Sequence, residues 1–308
     1  MIEPMSSTKP VRRVTISDIA GMYERGQRFA TITAYDYPTA RIVDEAGIPL
    51  ILVGDSLGMV MLGYGDTVPV TLDQIIHHAS AVVRGTKRSL IVGDMPFLSY
   101  GVSETESVEN AGRLLREAGV QAVKVEGGVR SARTIEVIVN SGMPVMAHIG
   151  LTPQAVNQLG GFRVQGKTTD SARSLIADAL AVQEAGAFAV VLELVPAELS
   201  KAITERLDIP TIGIGAGPYC SGEIQIITDI VGLTQGHVPR HARRFGEVGE
   251  ALSAAIDAYR GAVESGDFPA EAEFAKIDPA VLDEVLGKGD LDRATKADVL
   301  SIPLDRDL

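Results

Sequence analysis

Residues 51–56 read Ile51-Leu52-Val53-Gly54-Asp55-Ser56, and the design returns at Leu90-Ile91-Val92-Gly93-Asp94. Each is a bulky apolar run with no polar face, which suits a strand buried on both sides in a parallel sheet. Each stops at a glycine and then delivers a carboxylate. The two lie one predicted helix apart, so the pattern predicts two carboxylates side by side at one sheet edge.

Outward from this pair the chain repeats one unit. Strands are expected at residues 28–35, 50–53, 90–92, 121–125, 144–147, 188–192 and 211–214, with an eighth inside 227–233. Helices are expected between them: a short one from Ser17 as its cap, then 38–46, 71–84, 103–118, 131–140, 170–185 and 197–206, with the last at about 248–263. Gly47, Gly119, Gly142 and Gly186 each follow a small residue where a helix must stop and a strand begin. Alternation of this kind implies parallel strands with right-handed crossovers. Eight units favour a closed (β/α)8 TIM barrel over the alternative, an open doubly wound sheet. Residues 1–13 read as an arm, 14–268 as one barrel domain and 269–308 as a C-terminal extension.

Composition narrows the function. The 308 residues are 45% hydrophobic and 22% charged, with a net charge of −12. That charge disfavours nucleic acid or an anionic membrane as partner. Aromatic content is 5% with no Trp, which disfavours base-stacking modules. No run reaches the roughly 18 apolar residues of a spanning helix, and residues 1–13 hold no apolar signal core. A single cysteine, Cys220, excludes an internal disulfide. The expected location is the cytoplasm.

The strand ends carry the chemistry. In order they offer Tyr35 and Asp36, Asp55 and Ser56, Asp94, Lys124 and Glu126, His148, Glu193, and the loop from Gly215 to Gly222. In a barrel these ends converge on one mouth. Adjacent strands lie about 4.8 Å apart, so Asp55 and Asp94 either share a cation such as Mg²⁺ or cap the turns that follow them. Period two puts Lys124 and Glu126 on one face, as a structural ion pair or as a grip on a substrate carboxylate. His148 is a substrate donor or a satisfied core histidine. Glu193 leaves an apolar strand, where poor solvation suits a general base. His77 and His78 fall inside a helix. Gly213-Ile-Gly215-Ala-Gly217 is a weak phosphate-loop signal and fits better as backbone packed close beside a ligand.

At these residues the chain resembles the ketopantoate hydroxymethyltransferase family. The markers are Thr33-Ala-Tyr-Asp36, Gly54-Asp-Ser-Leu-Gly-Met59, Val70-Thr71, Asp94-Met-Pro-Phe-Leu-Ser-Tyr100, Val123-Lys-Val-Glu-Gly127, His148-Ile-Gly-Leu-Thr-Pro153, Gly160-Gly161 with Val164-Gln-Gly166, Glu193-Leu-Val-Pro196 and Gly213-Ile-Gly-Ala-Gly217. The resemblance implies a phosphoenolpyruvate/pyruvate-type barrel, Mg²⁺, and 5,10-methylenetetrahydrofolate as donor of a hydroxymethyl unit to 3-methyl-2-oxobutanoate, giving 2-dehydropantoate for pantothenate biosynthesis. It implies Asp55 and Asp94 on the metal with Glu126 as third carboxylate, Ser56 and Lys124 on the 2-oxo acid with His148 beside them, and Glu193 as proton acceptor. It also implies a homo-oligomer, expected to be a homodecamer. The chain departs from the family at Ser221-Gly222-Glu223, where Asp-Gly-Gln is usual, and in a longer tail. Rival expectations are a different 2-oxo-acid aldolase or lyase on this barrel, including a Schiff-base enzyme using Lys124, and a non-catalytic paralogue.

Overall fold

A computed structural model of the chain describes residues 12–236 and 238–287. The expected arm up to residue 11, and the tail beyond 287, lie outside the described residues. The chain divides into two units, 1–249 and 250–308, at the start of the last long helix rather than after it.

The first unit is built of α1 (Ile16–Glu24), β1 (Phe29–Thr33), α2 (Tyr37–Glu45), β2 (Leu50–Val53), α3 (Leu57–Val60), α4 (Leu72–Gly85) and β3 (Leu90–Asp94). It continues through α5 (Glu104–Arg113), β4 (Ala122–Glu126), α6 (Val129–Asn140), β5 (Val145–Gly150), α7 (Val156–Leu159), α8 (Thr169–Glu184), β6 (Ala189–Glu193), α9 (Ala197–Thr204), β7 (Thr211–Ile214), β8 (Gly222–Gln225) and α10 (Ile227–Ile230). All the strands are parallel, and β8 returns to β1, which closes the barrel in sequence order. The open-sheet alternative is therefore excluded. The second unit carries most of α11 (Val248–Ser265), then α12 (Pro279–Gly287).

Alternation along each strand sorts two cores. Phe29, Leu50, Leu52, Leu90, Val92, Ala122, Met146, Ala189, Val191, Ile212 and Ile224 fill the barrel interior, with Ile19 of α1 packed among them. Their neighbours Ile51, Val53, Ile91, Val123, Val125, Val145, Ala147 and Val190 face outward against helix residues such as Ile75, Val82, Ile135 and Ile138. Burying each such Ile, Leu or Val stabilises the fold by up to about 2 kcal/mol. The parity has a consequence at the mouth. Continuing 90-92, 122, 146 and 189-191 in steps of two brings Asp94, Lys124, Glu126, His148 and Glu193 to the inward face.

The helices begin where short polar side chains can cap them. Thr71, Ser103 and Thr168 each accept a backbone N–H three residues on. For α1 the cap is Thr15 rather than the expected Ser17, because Asp18 completes a reciprocal box with Thr15. Asp44 is buried and accepts the N–H groups of Lys87, Arg88 and Ser89, which fixes the entry into β3.

The eighth strand lies elsewhere than the sequence predicts. The apolar run 227–233 forms the short helix α10, and the strand is the polar segment Gly-Glu-Ile-Gln at 222–225. Only Ile224 of that segment enters the interior core, while Glu223 and Gln225 remain partly exposed. One apolar residue gives no periodicity to read.

Candidate active site

The inward-facing polar residues form one buried cluster at the C-terminal mouth. Register pairs Asp94 with Lys124, Glu126 with His148, and Gly150 with Glu193. Lys124 Nζ lies 2.9 Å from Asp94 Oδ1, 3.0 Å from Glu126 Oε1 and 3.3 Å from His148 Nδ1. His148 Nδ1 is 3.2 Å from Glu126 Oε1, and its Nε2 is 3.2 Å from Glu193 Oε2. The Nε2 contact is close enough for charge attraction but is not aligned as a hydrogen bond. The expected pairing of Lys124 with Glu126 is thus present, inside a larger network.

The electrostatics follow from burial. Asp55, Asp94, Glu126 and Glu193 face one ammonium, Lys124, and one imidazole, His148. Burial resists the charging of Lys124, but Asp94, Glu126 and Asp55 hold its pKa well above the ordinary lysine value. Burial and Lys124 likewise oppose a charge on His148, yet Glu126 and Glu193 push it up to about 9. Against its own burial, Glu126 is drawn down to about 2 by Lys124 and His148. Asp55 goes the other way, raised well above the usual range by burial and by the charges of Asp94 and Glu126. Burial also raises Asp94, with Lys124 opposing. The cluster is short of positive charge at the Asp55–Asp94 edge.

That edge fits a hard divalent cation. Asp94 Oδ1 is buried and faces the Lys124 ammonium at 2.9 Å, while its Oδ2 accepts the Asp55 N–H at 2.9 Å. Asp55 Oδ2 accepts from Gln154, which leaves Oδ1 without a hydrogen-bond partner among the described residues. Asp55 keeps one oxygen free beside Asp94, and a pair of neighbouring carboxylates at the wall of a cavity suits an ion that keeps several waters. Glu126 differs from the expectation. Its Oε1 is taken by Lys124 and His148, its Oε2 by the Gln154 backbone N–H. Among the described residues no three His, Cys, Asp or Glu side chains are grouped to hold one metal ion. Glu126 neutralises Lys124 and His148 and offers no free oxygen.

Ser56 sits beside Asp55 and shares a 2.8 Å hydrogen bond with the Tyr35 hydroxyl. Tyr35 is wholly buried, so it positions Ser56 from below. Asp36 instead caps α2, where it accepts the Thr39 N–H at 2.8 Å. His78 bonds the Tyr35 carbonyl through Nδ1 and stays outside the cluster.

Two further residues complete the site, and sequence reasoning does not find them. Gln154 Nε2 donates to Asp55 Oδ2 at 2.8 Å and to the Met95 carbonyl at 3.0 Å. Its Oε1 accepts from the Tyr100 hydroxyl at 2.7 Å, and that hydroxyl accepts the Glu126 N–H at 3.1 Å. The polarity of the chain is fixed from Glu126 through Tyr100 and Gln154 to Asp55, so the amide cannot flip without losing bonds. The only signal is Thr152-Pro153 ahead of Gln154, which starts a 3₁₀ turn just beyond β5.

Backbone geometry brings the walls close. Gly150 has φ +93°, and a Cβ there would strike the Glu193 carbonyl, so only glycine lets β5 and β6 meet at this level. Of the Gly213–Gly217 segment, Ile214 at the end of β7 lines the cavity, while its three glycines, contrary to expectation, do not. A Cβ at Gly215 would meet Leu194 and one at Gly217 would meet Ala197, so these glycines pack against protein. The cavity itself has a volume of about 940 Å³ and runs from Asp55, Lys124 and Glu193 to Thr228, Asp229 and His241. No described helix is long and apolar enough to cross a membrane.

Comparison with known proteins agrees with this geometry. The family described as ketopantoate hydroxymethyltransferase matches residues 13–271. The 3-methyl-2-oxobutanoate hydroxymethyltransferase of Chloroflexus aurantiacus is 58% identical over 278 residues, covering 90% of this chain and 98% of that protein. The protein of the same name from Heliobacterium modesticaldum is 54% identical over 258 residues, covering 84% and 94%. Among solved structures, 2,3-dimethylmalate lyase, a PEP mutase/isocitrate lyase superfamily member, aligns with a TM-score of 0.55 at 16% identity over 94% of this chain and 99% of its own. Phosphonopyruvate hydrolase, solved in complex with oxalate and Mg²⁺, aligns at 0.54 with 12% identity over 91% and 97%. At these identities the structures share the barrel fold.

Proposed function

Because the chain belongs to the ketopantoate hydroxymethyltransferase family, we infer that it transfers a hydroxymethyl unit to 3-methyl-2-oxobutanoate, giving 2-dehydropantoate for pantothenate biosynthesis. The observation that carries the reading is the ring of buried Asp55, Asp94, Lys124, Glu126 and His148, with the partly exposed Glu193 beside them, at the barrel mouth. The donor in this reading is 5,10-methylenetetrahydrofolate, and water balances the reaction: keto acid, donor and water give 2-dehydropantoate and tetrahydrofolate.

Asp55 and Asp94 would hold Mg²⁺, which when bound supplies Lewis acidity to the ketone oxygen of the keto acid. Ser56 and Lys124 bind the keto acid's carboxylate, Ser56 as a hydroxyl donor steadied by Tyr35 and Lys124 as a fixed ammonium. Glu193 takes the C3 proton. His148 keeps one of its carboxylate oxygens close, at 3.2 Å, and the other is left for the proton. The resulting carbon nucleophile attacks the donor's methylene group. The low-dielectric surroundings strengthen each of these charge contacts relative to water.

The same geometry argues against a Schiff-base aldolase. Lys124 lies between Asp94 and Glu126 as an ammonium, with its pKa held well above the ordinary value, and an ammonium has no lone pair for a carbonyl. The chain is also proposed to act in the cytoplasm as a homo-oligomer, a homodecamer by family expectation, which sedimentation would test. The direct assay is 2-dehydropantoate formation from keto acid and methylenetetrahydrofolate, with and without chelator. Product that depends on added Mg²⁺ is expected. Undiminished turnover after exhaustive chelation would remove the metal from the account.

A further inference from the structure

The cavity is far larger than a five-carbon keto acid, and its far wall has a chemistry of its own. That wall is the end of β8 and the short α10. Thr228 is 5% exposed and Asp229 4% exposed, and both line the cavity together with Gln225. The Thr228 hydroxyl and Gln225 Oε1 are buried without a hydrogen-bond partner among the described residues. The Gln225 amide is oriented, because its Nε2 donates to Glu223 Oε1 at 3.1 Å and so turns Oε1 away as a bare acceptor. Asp229 Oδ1 accepts from Thr234 Oγ1 at 2.6 Å, and Asp229 forms no ion pair among the described residues. Ile227 N–H donates to Thr33 Oγ1 at 3.1 Å, which ties α10 to β1 and fixes this wall relative to the barrel.

Such a wall is rich in acceptors. A buried carboxylate, an amide oxygen and a hydroxyl converge with no donor among them except the hydroxyl proton. Left unmet, each buried group costs free energy, so the wall fits a ligand that brings N–H donors. Beside it the cavity is lined by the apolar Met59, Val60, Phe162, Ile226 and Leu233 and by the polar Thr234, Gln235, Arg240 and His241. The ligand that matches is a flat heterocycle with an amidine-like edge, where two parallel N–H groups meet a carboxylate as a pair. The 2-amino-4-oxopyrimidine edge of a reduced pterin has that form.

We propose that Asp229, with Thr228 and Gln225, is the anchor for the pterin edge of the folate cosubstrate, holding its methylene group toward the keto-acid site. The proposal rests on the donor assignment of the preceding subsection. Its placement follows from the cavity, whose lining includes Thr228 and Asp229 together with Asp55, Ser56 and Glu193. The wall therefore neighbours the reacting groups.

Asp229→Asn keeps the shape of the side chain and an acceptor for Thr234, but it can no longer accept two N–H groups. Thr228→Val is its isosteric companion. Equilibrium binding of tetrahydrofolate, followed anaerobically by calorimetry, should weaken about 10- to 100-fold in Asp229→Asn, the usual range for a lost charge-assisted pair. The KM for methylenetetrahydrofolate should rise by a similar factor, while the KM for the keto acid stays within about twofold of the parent. A reduced pterin without the aminobenzoyl-glutamate tail should suffer the same loss as the full cosubstrate. Unchanged tetrahydrofolate affinity in folded Asp229→Asn overturns the proposal, as does a loss confined to the tailed cosubstrate. Because binding is read without turnover, failure of the hydroxymethyl transfer in the parent protein would be seen separately. Parent protein that turns over but shows no defect in either variant sinks the anchor alone.

Discussion

Glu223 stands where the family resemblance implies Gln, and replacing it is expected to stabilise the protein increasingly as pH rises from about 4.5 to about 7, with the full gain above that. The side chain is half-buried on β8, and burial lifts its pKa from 4.5 to about 7, with Gln225 and Arg28 only partly offsetting that rise. A carboxyl group whose folded pKa is raised costs stability as it ionises. The folded state is unpenalised below pH 4.5, loses stability as pH rises through 7, and carries the full penalty beyond. A shift from 4.5 to about 7 corresponds to an upper limit of about 3 kcal/mol at pH 8. Solvent screening of a partly exposed side chain reduces this to about 1–2 kcal/mol. Glu223→Gln removes the titration and keeps the acceptor for Gln225. Thermal melts at pH 8 should therefore rise by about 3–6 °C, whereas at pH 5 the gain should be about 1 °C. Urea titrations at the same two pH values check that the midpoint moves and the slope does not. Equal gains at both pH values, or none at pH 8, would refute the reasoning, since no other mechanism proposed for this residue depends on pH.

Two further substitutions probe the architecture of the site. Gln154→Met preserves volume but deletes the bonds to Asp55 and Met95 and leaves the Tyr100 hydroxyl to donate only its longer bond, to the Glu126 carbonyl at 3.3 Å. Divalent-cation affinity, read by Mn²⁺ paramagnetic resonance, should fall about 10- to 100-fold, as for other groups that hold a ligand in place; an unchanged affinity in folded protein would reduce Gln154 to packing. Gly150→Ala puts a Cβ against the Glu193 carbonyl at φ +93°, and should cost about 3 kcal/mol in denaturant unfolding together with a loss of turnover; a fully stable, fully active variant would show that the contact at Gly150 is not needed.

Much of the site is legible in the chain because barrel geometry converts sequence parity into position. With 90-92 and 122 in the interior, Asp94, Lys124 and Glu126 follow at steps of two. The Ile51–Asp55 run is legible for the same reason, since strands buried on both faces are continuously apolar. Where the local pattern is weak, parity gives no answer. The segment 222–225 has a single core residue, and the more apolar 227–230 next to it is helical. Gln154 and Tyr100 are opaque for another cause. Their partners, Asp55 and Glu126, lie 99 and 26 residues away, and no local spacing encodes such contacts. Glu126 is legible in position but not in role. Its Oε1 is engaged by Lys124 and its Oε2 by the N–H of Gln154, a partner 28 residues away that no local spacing encodes.

Central to the proposed chemistry, Glu193 removes the C3 proton of a keto acid held by the Lys124–Ser56 side of the cavity. Exchange of the C3 hydrogen of 3-methyl-2-oxobutanoate with deuterated water, followed by NMR without folate, reads that step alone. Wild-type protein with Mg²⁺ should exchange, and Glu193→Gln should bind the keto acid but exchange at least about 100-fold more slowly. Exchange at the wild-type rate in Glu193→Gln would contradict the account.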